Sequence, residues 1–170
     1  MKTFVIADEH YSHFNCLTYD GRPFETIEEM HEIFIQNHNK IVSSNDVTFH
    51  VGDFTLDPNP EHAQQIIRQL NGKHFFIKGS HDRWLPQNHT TRIEKRISKT
   101  EFVVFDHYQM TTWPRSHYGS FQFYGHSHGR SKPKGNQMEV FCGTFNWQPA
   151  ELDELIEKIK QRPDYFKGIK

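Results

Sequence analysis

Residues 73–82 read KHFFIKGSHD, an apolar run through Phe75, Phe76 and Ile77 that stops at Gly79 and opens onto Ser80, His81 and Asp82. A short apolar run bounded by turn residues is the pattern of a buried strand whose C-terminal end feeds a loop. The same sentence is written four more times: TFVIADEH (residues 3–10), DVTFHVGDF (46–54), EFVVFDHY (101–108) and SFQFYGHSHG (120–129). Each run ends in Asp or His. Because side chains at i and i+2 of an extended segment point the same way, Asp8 with His10, and His126 with His128, can each present two polar groups to one place.

Between the runs lie amphipathic helices. Thr26 with Glu29 has the spacing of a capping box ahead of Ile27, Met30, Phe34 and Ile41. Asn59-Pro60 opens a second helix with Ala63, Ile66, Ile67 and Leu70 on one face, and Asn71-Gly72 stops it. A third is expected from Pro149 through Leu152, Leu155, Ile156 and Ile159 to Pro163. Strands alternating with helices, then mostly strands, predict a mixed α/β layered fold. The length of 170 residues suits one domain over 1–170.

Charge and composition narrow the chemistry. Lys+Arg 20 against Asp+Glu 21 gives a net charge of -1, so no global basic field draws the chain to nucleic acid or to anionic membranes. Cys16 and Cys142 share no CxxC spacing, which fits neither a disulfide framework nor a cysteine zinc site and points to a reduced, cytoplasmic setting. The N-terminal MKTFVIADEH lacks the apolar core of a secretory leader, and no stretch reaches the ~18 apolar residues of a membrane span. Histidine is the outlier, with 13 residues, several beside Gly or Asp. Carboxylates and imidazoles together are the donor set of borderline divalent metals, and a carboxylate such as Asp53 can bridge two ions about 3.5 to 4 Å apart.

Taken singly, Asp-x-His or Gly-Asp is ordinarily a turn. The ordered set D-x-H (Asp8, His10), G-D (Gly52, Asp53), G-x-H-D (Gly79, His81, Asp82), His107 and G-H-x-H (Gly125, His126, His128) resembles the calcineurin-like metallophosphoesterase superfamily. With DEHYSHFN, RPF, EEM, LNGKHFFIKG and HYQMTTW, the chain is similar to its small single-domain bacterial and phage members over nearly its whole length. The resemblance implies a four-layer αββα sandwich of two mixed β-sheets flanked by helices, and two divalent metal ions (Mn, Zn, Fe or Ni) at the strand ends. One ion would take Asp8, His10, Asp53 and His128, the other Asp53, Ser80, His107 and His126. Ser80 departs from the pattern, which has asparagine there.

The implied activity is hydrolysis of phosphodiester or phosphomonoester bonds, in nucleotide-type or other small phosphoester substrates, by a hydroxide bridging the ions. His81 would give a proton to the leaving group, oriented by Asp82 or Asp57. The alternative is a member that binds metal or nucleotide with weakened turnover because of Ser80. His13 and Arg22 are candidates for the substrate phosphate, Arg22 equally for a surface ion pair, and His117 for substrate contact or support of a ligand.

Other residues read more plainly. His50 reads as a core histidine, Asp46 as a strand start, Trp84 and Trp113 as core aromatics, and His31, His38, His62, His74 and His89 as surface. Arg92, Lys95, Arg96 and Lys99 fall at helical spacing and read as a solvated helix face, the alternative being a basic face that contacts a substrate with extra phosphates, such as an oligonucleotide.

Overall fold

The computed structural model describes residues 1–169, and all five apolar runs are strands. In chain order the elements are β1 (Thr3–Ile6), α1 (Cys16–Tyr19), α2 (Ile27–Ile41), β2 (Val47–Val51), α3 (Pro60–Ile67) and β3 (Lys73–Ile77). There follow β4 (Arg92–Arg96), β5 (Phe102–Asp106), β6 (Phe121–Tyr124), β7 (Gln137–Glu139), β8 (Ala150–Glu151) and α4 (Leu152–Lys160). The first sheet has the order β3-β2-β1-β8, with β1, β2 and β3 parallel and β8 antiparallel; the second has β4-β5-β6-β7, with β4 antiparallel and the rest parallel. Parallel strands end on the same side of a sheet. The residues after β1, β2 and β3, and those after β5 and β6, are thereby gathered at one rim of the molecule.

The fold is the α/β class expected, two mixed sheets with helices packed against them. Alternation does the sorting: Val5, Val47, Phe49, Val51 and Ile77 of the first sheet face Val103, Phe105, Phe121 and Phe123 of the second in one core. Phe49 stacks on Phe105 with ring centroids 4.5 Å apart. Burying each such ring contributes about 1.5–3 kcal/mol. Leu152, Leu155, Ile156 and Ile159 of α4 join this core. The outer face of the first sheet is covered by α2 and α3 through Met30, Phe34, Ala63 and Ile66. Thr26 Oγ1 accepts from Glu29 N at 3.1 Å, and Asn59 caps α3, as their spacing predicts.

The outer face of the second sheet carries loops instead. Gln122 and Gln137 are buried there, and their amides fasten the chain that leaves β5. Gln122 donates to the Tyr108 carbonyl at 2.9 Å, and Gln137 to the Met110 carbonyl at 2.6 Å and to Gln122 Oε1 at 2.7 Å. Buried amides of this kind persist only when so paired.

Two expectations shift. Arg92–Arg96 is an edge strand, not a helix: Ile93 packs on the core while Arg92, Glu94 and Arg96 face solvent, and Arg92 pairs with Asp106 at 3.0 Å. Charged alternation on an edge discourages pairing with another chain. The last helix starts at Leu152, because Ala150 and Glu151 first pair with Val5 and Phe4. Cys16 and Cys142 are buried free thiols, and no helix among the described residues is long and apolar enough to cross a membrane.

Candidate active site

The rim where the parallel strands end is built on unusual backbone. Asp8, His10, Asp53, His126 and His128 all have positive φ, at 60°, 52°, 58°, 73° and 50°. Such left-handed residues cost of order 1–3 kcal/mol each and persist only when the surroundings over-determine them. The fastenings are visible. Arg22 donates from Nη2 to the Asp8 carbonyl at 2.9 Å and from Nη1 to the Glu9 carbonyl at 2.7 Å. The buried Asp82 carboxylate accepts from Asp53 N at 2.7 Å, Gly79 N at 2.8 Å, Phe54 N at 2.9 Å and the Trp84 indole at 3.0 Å. Asp8 itself accepts from His126 N at 3.0 Å. Glycines let these carboxylates approach: a Cβ on Gly79 would fall 2.2 Å from Asp53 Oδ1, and one on Gly125 2.6 Å from Asp8 Oδ2.

Six side chains converge in two groups, Asp8 with His10 and His128, and Asp53 with His107 and His126, their ligand atoms lying within 4.8 Å of one another in each. Asp53 faces both: its Oδ2 is 3.2 Å from His107 Nε2 and 3.8 Å from His10 Nε2. Three of the four imidazoles have their other nitrogen anchored. His10 Nδ1 lies 3.1 Å from His13 Nδ1, His107 Nδ1 donates to the Val51 carbonyl at 3.0 Å, and His128 Nδ1 lies 2.8 Å from both oxygens of Asp20. Metal-binding histidines are held in this way, because the anchor fixes which nitrogen keeps its lone pair.

The electrostatics agree. Burial pushes the Asp8 carboxyl up to about 7, against the pull of His107 and His128. Burial opposes ionisation of Asp53 too, but the hydrogen bond and charge of His107 and the His81 N–H hold its carboxyl well below the usual range. Burial lowers His10 to about 3; it also works against a charged His107, yet Asp53 and Asp8 outweigh it and raise that imidazole to about 9. His107 Nε2 is fully buried and, for all its nearness to Asp53, lacks a well-aligned hydrogen bond among the described residues. The Asp8 and Asp53 carboxyl groups, an orphaned ring nitrogen and anchored neighbours fit divalent cations in both groups.

Ser80 is exposed, and its hydroxyl donates to Asp53 Oδ2 at 2.9 Å while His81 N donates to Asp53 Oδ1 at 2.8 Å. The half-buried His81 ring looks across the mouth, 5.3 Å from His10 and 6.0 Å from His13 between centroids. Neither expected acid orients it: Asp82 is filled by backbone and indole donors, and Asp57 is bound to His62 at 2.6 Å. His13 stands at the rim beside His10. Arg22 is neither a surface ion pair nor within reach of a substrate, because it is buried with its guanidinium on the Asp8 and Glu9 carbonyls and on Asp20 at 3.0 Å. His117 lies in a one-turn 3₁₀ helix before β6, whereas His126 and His128 follow that strand's end; its carbonyl receives Ile169 N at 2.8 Å.

The remaining histidines divide. His50 is the core histidine expected, between Glu9 and His74, but His38 is buried rather than on the surface, His74 is half-buried, and His89 binds the Phe76 carbonyl at 2.9 Å. Asp46 caps the turn before β2, and Trp84 is core. Sequence reading missed Asp20, whose one signal was a carboxylate two residues before Arg22 in YDGRPF.

No family model matches the chain. An uncharacterized protein of Methanocaldococcus jannaschii is 27% identical over 174 residues, covering 94% of this chain and 92% of that one. Among solved structures, a protein of unknown function from Aquifex aeolicus superposes with a TM-score of 0.69 at 17% identity, covering 92% of this chain and 98% of that one. A conserved uncharacterized protein of Streptococcus pneumoniae, described as a predicted phosphoesterase, gives a TM-score of 0.43 at 14% identity over 82% of this chain and 70% of that one. What the Aquifex likeness establishes is a shared fold over almost the full length of both chains.

Proposed function

We propose that this chain is a metal-dependent phosphoesterase acting on small phosphodiesters or phosphomonoesters, nucleotides among them. The observation that carries the reading is the convergence of Asp8, His10 and His128 with Asp53, His107 and His126 into two adjoining groups, Asp53 facing both. Asp8, His10, Asp53 and His128 would hold one divalent ion, and Asp53, His107 and His126 the other, with Ser80 at the edge of the second. Such ions, when bound, activate water near neutral pH and neutralise phosphoryl oxygens.

The side chains do the rest. Asp53, anchored through His81 N and Ser80 Oγ, keeps its two oxygens at a fixed bearing to both groups. His81, a ligand in neither group, would protonate the departing oxygen from its position near His10 and His13, an assistance of about 10²- to 10⁴-fold. His13 beside it offers a ring nitrogen to a phosphoryl oxygen. Mixed oxygen and nitrogen donors suit Mn, Zn, Fe or Ni better than Mg.

The test is a panel of phosphomonoesters, diesters and cyclic phosphoesters assayed after chelation and dialysis, then with Mn, Ni, Zn or Mg returned. Hydrolysis should vanish on chelation and return with a transition metal. Undiminished turnover in excess chelator would overturn the proposal. A weakened binder of metal or nucleotide is the second reading, favoured by Ser80, whose hydroxyl is held on Asp53. Tight metal binding with no hydrolysis across the panel would select it.

A further inference from the structure

We infer that Asp20 is a positioning residue for the first group, fixing His128 with its proton on Nδ1 so that the Nε2 lone pair stays turned toward Asp8 and His10. The inference rests on the metal reading above. Asp20 follows α1 directly, and Gly21, at φ 59°, turns the chain so that Arg22 re-enters the protein. The Asp20 side chain is 4% exposed, with both oxygens 2.8 Å from His128 Nδ1. Its Oδ2 also accepts from Arg22 Nε at 3.2 Å and Nη2 at 3.0 Å.

The same guanidinium holds the carbonyls of Asp8 and Glu9, so one buried arginine joins the carboxylate behind His128 to the strained backbone that carries Asp8. Arg22 is walled in by Phe34, Phe141 and Trp147, whose ring centroids lie 5.9, 5.9 and 5.4 Å from its Cζ. It acts as a strut. Arg130, on the exposed side, approaches Asp20 Oδ1 only to 3.6 Å.

The partners behind the imidazoles differ in kind. His107 has a backbone carbonyl and His10 another imidazole, whereas His128 has an ionised carboxylate, the strongest acceptor of the three. A carboxylate behind an imidazole fixes its orientation and makes the far nitrogen a better donor to metal. Asp20 thereby favours the first group over the second.

The experiment is calorimetric titration of Mn²⁺ into the parent protein, Asp20→Asn and Asp20→Ala, with ¹⁵N imidazole spectra of the Zn²⁺-loaded forms. An asparagine can still accept from Nδ1–H through its amide oxygen, so Asp20→Asn removes the charge while leaving the shape. One binding step should weaken about 10- to 100-fold in both variants while the other moves by less than about threefold. The Nδ1-protonated signature of His128 should survive in Asp20→Asn and broaden or vanish in Asp20→Ala.

Unchanged binding steps in variants of a parent that binds Mn²⁺ would make Asp20 no more than the counter-ion of Arg22. Equal weakening of both steps together with a lowered Tm would make its role packing, and either result overturns the inference. A parent that binds no Mn²⁺ would remove the metal reading itself.

Discussion

At the strand ends, His10, His107 and His128 each hold one ring nitrogen against a partner and aim the other at Asp8 or Asp53; under α2, His50 sits between Glu9 and His74 with both ring nitrogens engaged. His38, beside them, reaches the Asn71 carbonyl at 2.9 Å. Burial lowers His38 and His50 to about 3 and His74 to about 4, and raises the Glu9 carboxyl well above its usual value, so the rear cluster is neutral. In front, carboxylates outweigh burial at His107. One residue type thus serves two ends: at the rim the far ring nitrogens converge on Asp8 and Asp53, while behind the sheet the rings bond to Glu9, to one another and to the Asn71 carbonyl, with His74 Nε2 and Glu9 Oε2 lacking a partner among the described residues. The sorting rule is position along the strand. His50 and His74 lie inside β2 and β3, where the outward face meets α2, while the front set begins where each strand ends.

The largest expected effect separates the clusters outright. Asp53→Asn keeps an oxygen for the His81 N–H but removes the charge that faces both groups, and several kcal/mol of transition-state stabilisation corresponds to a loss on the order of 10³-fold in turnover. Metal content by atomic absorption should fall with it. Changes in the rear cluster should leave metal content alone. An Asp53→Asn enzyme within tenfold of the parent would erase the distinction between front and rear.

Next comes His81, in front but in neither ligand group. Its replacement by alanine should cost about 10²-fold or more on esters with poor leaving groups, far less on a nitrophenyl ester, with metal stoichiometry intact. Equal losses on both esters, or a lost ion, would place His81 among the ligands.

The rear cluster makes a prediction about pH and none about catalysis. His38 stays neutral in the folded chain down to about 3, while the unfolded chain takes up a proton near 6.5. Since the unfolded state binds more protons in that window, stability rises with pH between about 3 and 6.5 and falls as pH is lowered, by up to about 1.4 kcal/mol per unit for this one group. His38→Leu, which also removes the bond to Asn71, should therefore flatten the denaturation midpoint against pH below 6.5. His50 and His74 would retain their share of the slope. A slope unchanged in His38→Leu would show that His38 titrates normally and that the rear cluster is not the neutral assembly described.

Much of this was legible in the chain. The five apolar strands announce themselves because an apolar run that ends in Gly or Asp has few other uses, and the six convergent residues lie at those ends. What escaped did so for physical reasons. β4 has one apolar side chain facing inward, Ile93, and β8 is two residues long, so neither carries a periodic signal. Asp20 meets His128 across 108 residues, a pairing that the tertiary fold alone creates. Neither reading of Arg22, substrate contact or surface ion pair, holds as stated, because burial has turned its donors onto the Asp8 and Glu9 carbonyls and onto Asp20. His117 precedes β6, whereas His126 follows it.

The smallest effect tests the boundary of the front cluster, at Ser80. Its Oγ donates to Asp53 Oδ2 at 2.9 Å, so the hydroxyl already leans on the residue that faces both groups. The loop has little freedom to bring it nearer the second group, since the Cβ position at Gly79 is 2.2 Å from Asp53 Oδ1 and the Gly79 N–H is held by Asp82 at 2.8 Å. An asparagine carries its amide oxygen one bond further out, on a C=O of about 1.2 Å, against metal–oxygen bonds of about 2.0–2.2 Å that tolerate little slack. Ser80→Asn should therefore let residue 80 join Asp53, His107 and His126. A net interaction of about 0.5–1.5 kcal/mol is roughly two- to tenfold in the weaker metal-binding constant. Turnover should rise by a similar factor while KM stays put, because the added ligand acts on the second ion and not on substrate binding. Calorimetry and kinetics on the two forms read both quantities, and if neither moves, residue 80 lies outside the metal set and the front cluster ends at the six residues that converge.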